Sequence, residues 1–220
     1  MQGECDETVG PDFSPELLEK ARDQTLALIL ESAKMIRPGV SETQAKAIVQ
    51  ELQTKMGAPK SWHPPQIRFG KNTCLPFGVR GEENKILQEN DIFFLDLGPI
   101  FEGHEGDVGR PFSVGSDPEM KECCEIAEKI WFEVRDPWKT YGVSGHALYE
   151  FAKNRAGYHG WVLSLDKADG HRIADFPHAA RTRGSIEGFT QTPASHRWIL
   201  EIQIRHKSRD FGAFYEDLLS

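Results

Sequence analysis

Apolar residues recur at helical spacing in four stretches of the chain, with short continuous apolar runs between them. Ser14-Pro15-Glu16 joins a capping serine, a proline suited to a first turn and an acid near the positive end of a helix dipole. It predicts a helix running to Ile36, before Pro38-Gly39. Ser41 and Gln44 have the spacing of a capping box, and Ala45, Ile48, Val49 and Leu52 follow at helical spacing. A long helix is predicted over 117–138, ending near Asp136-Pro137. Gly142-Val143-Ser144 opens another, with Leu148, Phe151 and Ala152 on its apolar face. The second and fourth helix starts share their apolar offsets from the capping serine. They are either two independently well-capped helices or the trace of a duplicated half-domain. Strands are predicted over 67–70, 92–100, 161–165, 198–204 and 211–218. Interleaved helices and hairpins predict an α+β fold with a largely antiparallel sheet.

At 220 residues the chain is long enough for a sizeable core. Residues 1–12 read as a loose tail and 13–220 as a single domain. Hydrophobic and charged contents of 39% and 27% are those of an ordinary globular protein. A net charge of −8 argues against nucleic acid or an anionic membrane as the main partner. The polar N-terminus lacks the apolar core of a signal peptide, and a cytoplasmic protein is expected. Cys123 and Cys124 are adjacent without a second cysteine pair, which argues against a zinc site.

Two apolar runs are interrupted by acids. Asp96 lies in the strand over 92–100, and Asp107 follows after a glycine-rich bend. A buried carboxylate is costly unless paired or bound to a cation. Placing Asp96 directly opposite Asp107 puts the bend between Phe101 and Glu102, with a bulge as the alternative register. Near the C-terminus, Glu201 lies in a strand whose Leu200, Ile202 and Ile204 face the other way. Glu216 in the next strand falls opposite Glu201 if the bend lies between Ser208 and Arg209. Four acids in two hairpins suggest a metal centre, and oxygen-rich ligation suits manganese, iron(II), cobalt or zinc. Capping of Asp96 by backbone amides, or pairing of Glu201 with Arg205, is the alternative. Of the eight histidines, His171 is the best nitrogen ligand, because it follows a glycine and shortly precedes the acidic strands; His178 is near it.

The ordered set Asp96, Asp107, His171, Glu201 and Glu216 resembles the five metal ligands of the pita-bread metallopeptidases, which include methionine aminopeptidase, aminopeptidase P, prolidase and creatinase. "DLGPIFEGHEGDVGRPF" is similar to their aspartate hairpin, and "GHRIADFPH" to their Gly-His segment. The region "SWHPPQIRFGKNTCLPFG" is more like the prolidase and aminopeptidase P branch, without its additional N-terminal domain. The resemblance implies a pita-bread fold of two pseudo-symmetric halves, a curved sheet covered by helices. It implies two divalent ions, manganese, cobalt, iron or zinc, with Asp96 on one, His171 and Glu201 on the other, and Asp107 and Glu216 bridging. A hydroxide between the ions would be the nucleophile. Glu201 would relay the proton and His178 would stabilise the oxyanion or the substrate carbonyl.

The chain also departs from that pattern. Phe77 in "LPFG" stands where the family usually has a histidine that contacts substrate or passes protons. Arg172 replaces a glycine after the metal histidine, Ala179 replaces a glutamate, and Gly109 stands at a frequent threonine. Arg172 would either grip a substrate carboxylate or pair with Asp169 or Asp175. Arg181-Thr182-Arg183 would bind an anionic substrate or form a solvated loop. The expected function is a dinuclear hydrolase cleaving a peptide or amide-like C–N bond in a small molecule or short peptide. The alternatives are an iron enzyme of different chemistry on a small carboxylic acid, and a non-catalytic binding module. A homodimer could supply a wall of the pocket.

Overall fold

The computed structural model describes residues 7–178 and 184–220. Its helices begin where capping residues place them. Helix α1 (Pro15–Met35) starts at Ser14, whose hydroxyl accepts from the Leu17 N–H. Helix α2 (Glu42–Lys55) opens with both hydrogen bonds of the Ser41–Gln44 capping box. Helix α3 (Pro118–Tyr141) starts at Asp117, and α4 (Gly145–Tyr158) at Ser144. One expectation fails here, because Pro137 lies inside α3 rather than ending it. The last turn is held by buried Trp138, whose indole N–H donates to Pro193 O at 2.7 Å, and stops at left-handed Gly142. Residues 7–12, expected in a loose tail, meet the body: the Gly10 N–H donates to Asp175 Oδ1 at 2.8 Å.

The strands are β1 (Gln66–Phe69), β2 (Asp91–Leu97), β3 (Ile100–Phe101), β4 (His104–Glu105), β5 (Val108–Val114), β6 (Val162–Ser164), β7 (His171–Arg172), β8 (Trp198–Arg205) and β9 (Gly212–Leu218). The main sheet runs β1-β2-β5-β9-β8-β6, with β7 also on β8, and every pairing in it is antiparallel. Its two halves meet at the β5–β9 seam, where Gly109 faces Glu216. Leu95 and Leu97 of β2 pack in a core with α1 and α2 residues such as Leu28, Ile29 and Val49. Leu200, Ile202 and Ile204 of β8 pack with Ile130, Trp131 and Leu148 of α3 and α4. Each half is therefore a helix pair on three strands of the path, β1-β2-β5 or β9-β8-β6, with β7 added to the second, an arrangement consistent with the pseudo-two-fold reading.

The two acidic hairpins differ in register. Glu201 pairs with Glu216 as the spacing predicts. Asp96 pairs with Gly109, not with Asp107. The reason is the turn: Glu102 and Gly103 have φ of 47° and 75°, the positive pair of a type I′ turn, which centres the bend one residue later than expected. Asp107 thus lies just before β5, two residues ahead of Gly109. Side chains two apart share a face, so Asp107 joins the row formed across the sheet by Asp96, Gly109, Glu216 and Glu201. That row lies on the face away from the helices.

Glu201 is also fixed from behind. Strand β7 pairs with β8 at Ile199 and Trp198, and β6 pairs with it from Gln203 onward, leaving the Glu201 backbone between them. The buried Tyr149 hydroxyl of α4 fills the gap, donating to Glu201 O at 3.0 Å and accepting from Glu201 N–H at 3.2 Å. Tyr149→Phe would leave both backbone groups unpaired, and urea unfolding should show a loss of about 1–3 kcal/mol. An unchanged midpoint and slope would contradict this role for the hydroxyl.

Candidate metal centre

Asp96, Asp107, His171, Glu201 and Glu216 come from five separate strands or strand entrances and line one cavity of about 410 Å³. A larger cleft of about 500 Å³ along Glu42, Arg68 and Glu82 contains none of the five. Trp62, His63, Phe77 and Lys167 complete the wall around the carboxylates. Asp107 and Glu216 are each only 1% exposed. Glu216 Oε1 is buried with no hydrogen-bond partner, and Asp107 Oδ2, also buried, meets His171 Nε2 at 3.1 Å. An unpaired buried acceptor in a closely spaced acid row is chemistry that suits a bound cation.

The donors fall into two overlapping triads, each with ligand atoms within 4.8 Å of one another. One is His63, Asp96 and Asp107; the other is Asp107, His171 and Glu216. Glu201 is in neither triad; its Oε2 accepts the Gly170 N–H at 2.7 Å beside the second. Gly170 is held at φ +71°, which lets the loop before β7 bring that N–H and His171 to the same place. Gly109 explains itself here. A Cβ at that position would lie 2.9 Å from Glu216 Cγ and 2.7 Å from the Phe214 ring, so the centre of the row must be bare.

The charges respond to one another. Burial pushes Glu201 up to about 7, with His171 opposing, and Asp96 up to about 6, with His63 opposing. Glu216 is raised well above the usual carboxylate range by burial and by neighbouring Asp107 and Asp96. Burial would raise Asp107 as well, but His171 and His63 outweigh it and hold the group below its usual value. Burial opposes the charged forms of both histidines, yet carboxylates carry His63 to about 9 and His171 to about 10. Protons partly neutralise the acid row, and a divalent ion would compete for the same oxygens.

Other expected site residues are placed differently. Phe77 does line the cavity, 43% exposed, with its ring 6.2 Å from that of His63. His178 is buried and is not among the lining residues. Its Nδ1 pairs with Glu105 Oε2, its backbone N–H donates to Glu105 Oε1 at 3.1 Å, and Trp62 separates it from His63. Arg172 is not among the residues that line the cavity. Adjacent strand residues face opposite ways, so with His171 toward the carboxylates Arg172 is turned from the cavity. It is 1% exposed, lies over the Trp198 ring, and donates to the carbonyls of Arg197 and Thr8. Ala179, Arg181, Thr182 and Arg183 lie outside the described residues. Sequence reasoning missed His63, Trp62 and Glu105. His63 has no periodic context, although the rigid Trp-His-Pro-Pro run offered a signal.

A curled antiparallel sheet gathering acids and imidazoles on its open face defines a pita-bread fold with groups that could hold metal. The chain belongs to metallopeptidase family M24, which matches residues 16–219. It is 27% identical to the Xaa-Pro dipeptidase of Pyrococcus horikoshii over 162 residues, covering 72% of this chain and 44% of that protein. It is 26% identical to the methionine aminopeptidase of Aquifex aeolicus over 158 residues, covering 64% and 61%. Among solved structures, the prolidase of P. horikoshii OT3 superposes with a TM-score of 0.73 at 22% identity, covering 92% of this chain and 57% of that one. Escherichia coli aminopeptidase P gives 0.74 at 14%, covering 95% and 53%. The chain spans about half the length of the Xaa-Pro dipeptidases it matches.

These shifts set a pH dependence. A carboxylate raised in the folded state ionises more easily in the unfolded chain, so Asp96 and Glu201 cost stability as pH rises from their usual values of 3.8 and 4.5 toward 6 and 7. The raised histidines stabilise fully below 6.5, and that contribution is lost as pH rises through 9 and 10. Both trends run the same way; Asp107 opposes them only in acid, below its usual 3.8. The metal-free protein should therefore melt at lower temperature at about pH 8 than at about pH 5.5, and added manganese or cobalt should raise Tm more at the higher pH. An ion-induced shift that is equal or smaller at the higher pH would contradict the arrangement.

Proposed function

We propose that this chain is a dinuclear metal-dependent hydrolase that cleaves a peptide or amide-like C–N bond in a small substrate. One observation carries the reading: two donor triads share buried Asp107, which leaves one carboxylate between two cation positions. Bound divalent ions would supply a hydroxide nucleophile at neutral pH, by lowering the pKa of a shared water, and would polarise the scissile carbonyl. Asp107 and Glu216 would hold both ions, Asp96 one, and His171 and Glu201 the other. Manganese, cobalt, iron and zinc all suit these ligands.

Glu201 is the group to move a proton. Its carboxylate lies beside the acid row that would hold the ions, with Oε2 fixed by the Gly170 N–H at 2.7 Å, where it would pass a proton from the attacking water to the leaving group. The matches to Xaa-Pro dipeptidases support a short peptide, with dipeptides ending in proline as the first substrates to try. A second reading is favoured by Phe77. An apolar ring in the cavity wall, in a position where a polar group would serve peptide hydrolysis, suits an iron enzyme acting on a small carboxylic acid by other chemistry.

Metal analysis with a panel of Xaa-Pro dipeptides and N-terminal peptides separates the two. The first reading predicts manganese-, cobalt- or zinc-supported cleavage, and Glu201→Gln should lower kcat by about 10²-fold or more even at ion concentrations that fill both sites. Phe77→His should raise peptide cleavage if the ring restricts it. Iron-loaded protein with no peptidase activity would support the second reading, and full turnover by Glu201→Gln would remove that residue from the chemistry.

A further inference from the structure

We infer that His63 is a metal ligand, so that each of the two ions has a histidine of its own; the inference rests on the dinuclear reading above. Sequence resemblance supplies only His171 as a nitrogen donor and leaves the Asp96 ion with carboxylates alone. The structure brings a second imidazole to that side.

The two histidines are prepared in the same way. His63 Nδ1 lies 3.0 Å from the carbonyl oxygen of Pro64, and His171 Nδ1 lies 2.9 Å from that of Arg172. A carbonyl only accepts, so in both rings Nδ1 carries the proton and Nε2 is the atom offered to the site. His63 Nε2 lies 3.2 Å from Asp107 Oδ1 and 3.5 Å from Asp96 Oδ1. His171 Nε2 lies 3.1 Å from Asp107 Oδ2. Asp107 thus stands between two imidazoles, one on each oxygen. The His63 Nε2 and the oxygens of Asp96 and Asp107 converge within 4.8 Å of one another, a spacing that a single cation would bridge. A backbone acceptor on the far nitrogen is how metal-binding histidines are commonly oriented.

The surroundings are built to keep the His63 ring in place. A Cβ on Gly98 would lie 2.2 Å from His63 Cδ2 and 2.3 Å from its Nε2, so the ring rests in a space only glycine leaves. Trp62 packs edge-on against it with centroids 4.5 Å apart, and the same indole lies 5.3 Å from the His171 ring. The Trp62 N–H donates to Gly106 O at 3.3 Å, one residue before Asp107. Pro64 and Pro65 restrict the backbone that follows. With His63 included, the donors divide evenly. Each ion receives one imidazole and one carboxylate of its own, and shares Asp107 and Glu216. Four carboxylates then balance two divalent charges. The second nitrogen also moves the site's preference from manganese toward cobalt, zinc or iron.

The test is proton NMR of the full chain loaded with cobalt(II), recorded in H₂O and D₂O, beside equilibrium dialysis with the same ion. Coordination of Nε2 shifts the ring's Nδ1–H far outside the diamagnetic range, and that proton exchanges with solvent. Wild-type protein binding two cobalt ions should show two such exchangeable resonances. His63→Gln should lose one of them and weaken one ion by about 10-fold or more, leaving the other ion and signal in place. His171→Gln should lose the other. One shifted exchangeable resonance with two ions bound would overturn the inference and leave the dinuclear reading standing. So would a His63→Gln protein that keeps both signals and both affinities. Failure to bind cobalt would overturn both. The wild-type count needs no variant, so misfolding of a substituted protein does not remove the test.

Discussion

Repulsion between carboxylates that the fold forces together is the constraint on which the rest of this structure depends. Asp96, Glu216 and Glu201 share one row across neighbouring strands, and Asp107 stands two residues above the gap at Gly109. Strands in a sheet are about 4.8 Å apart, so these charges cannot separate without breaking the ladder. Burial removes the water that would screen them. The protein answers with proton retention on some acids and imidazoles on Asp107, and buried Glu216 Oε1 still lacks a partner. Divalent cations would answer the whole set at once.

The architecture serves that row. Two helix pairs cover one face of the sheet, so the alternation of β2 and β8 sends Leu95, Leu97, Leu200 and Ile202 toward the helices and Asp96 and Glu201 the other way. The seam between the halves runs beside Gly109, where the bare backbone makes room for Glu216. Tyr149 satisfies the one stretch of β8 that neither β6 nor β7 reaches, and Gly170 holds the Glu201 carboxylate from the front. On the outer side of β9, Asp217 is held by Arg22 through two contacts of 2.7 and 2.6 Å and by Arg110. Adjacent acids in one strand thus have opposite fates, one ion-paired and one aimed into the site.

Much of this was legible from residues alone, for identifiable reasons. Helix starts carry local capping chemistry, and all four fall where it puts them. Acids inside apolar runs stand out because burying them is costly, and the Lys207-Asp210 turn set the second hairpin's register correctly. The first hairpin was displaced because Glu102 adopts a positive φ that a glutamate does not advertise. Pro137 failed as a helix end because packing of Trp138 outweighs one lost hydrogen bond near a terminus. Spacing left two roles open for Arg172, because its neighbour's role says nothing of its own face in a strand. His63 could not be found by spacing at all. Its place depends on a loop passing over Gly98, a contact between chain segments far apart in sequence.

The most direct test of the central claim is an anomalous-diffraction measurement on crystals loaded with manganese or cobalt. The account predicts two peaks about 3.5–4 Å apart on either side of the Asp107 carboxylate, each within about 2.5 Å of donor atoms from its own triad. Crystals that take up the ion only at other positions, with the acid row unchanged, would contradict it.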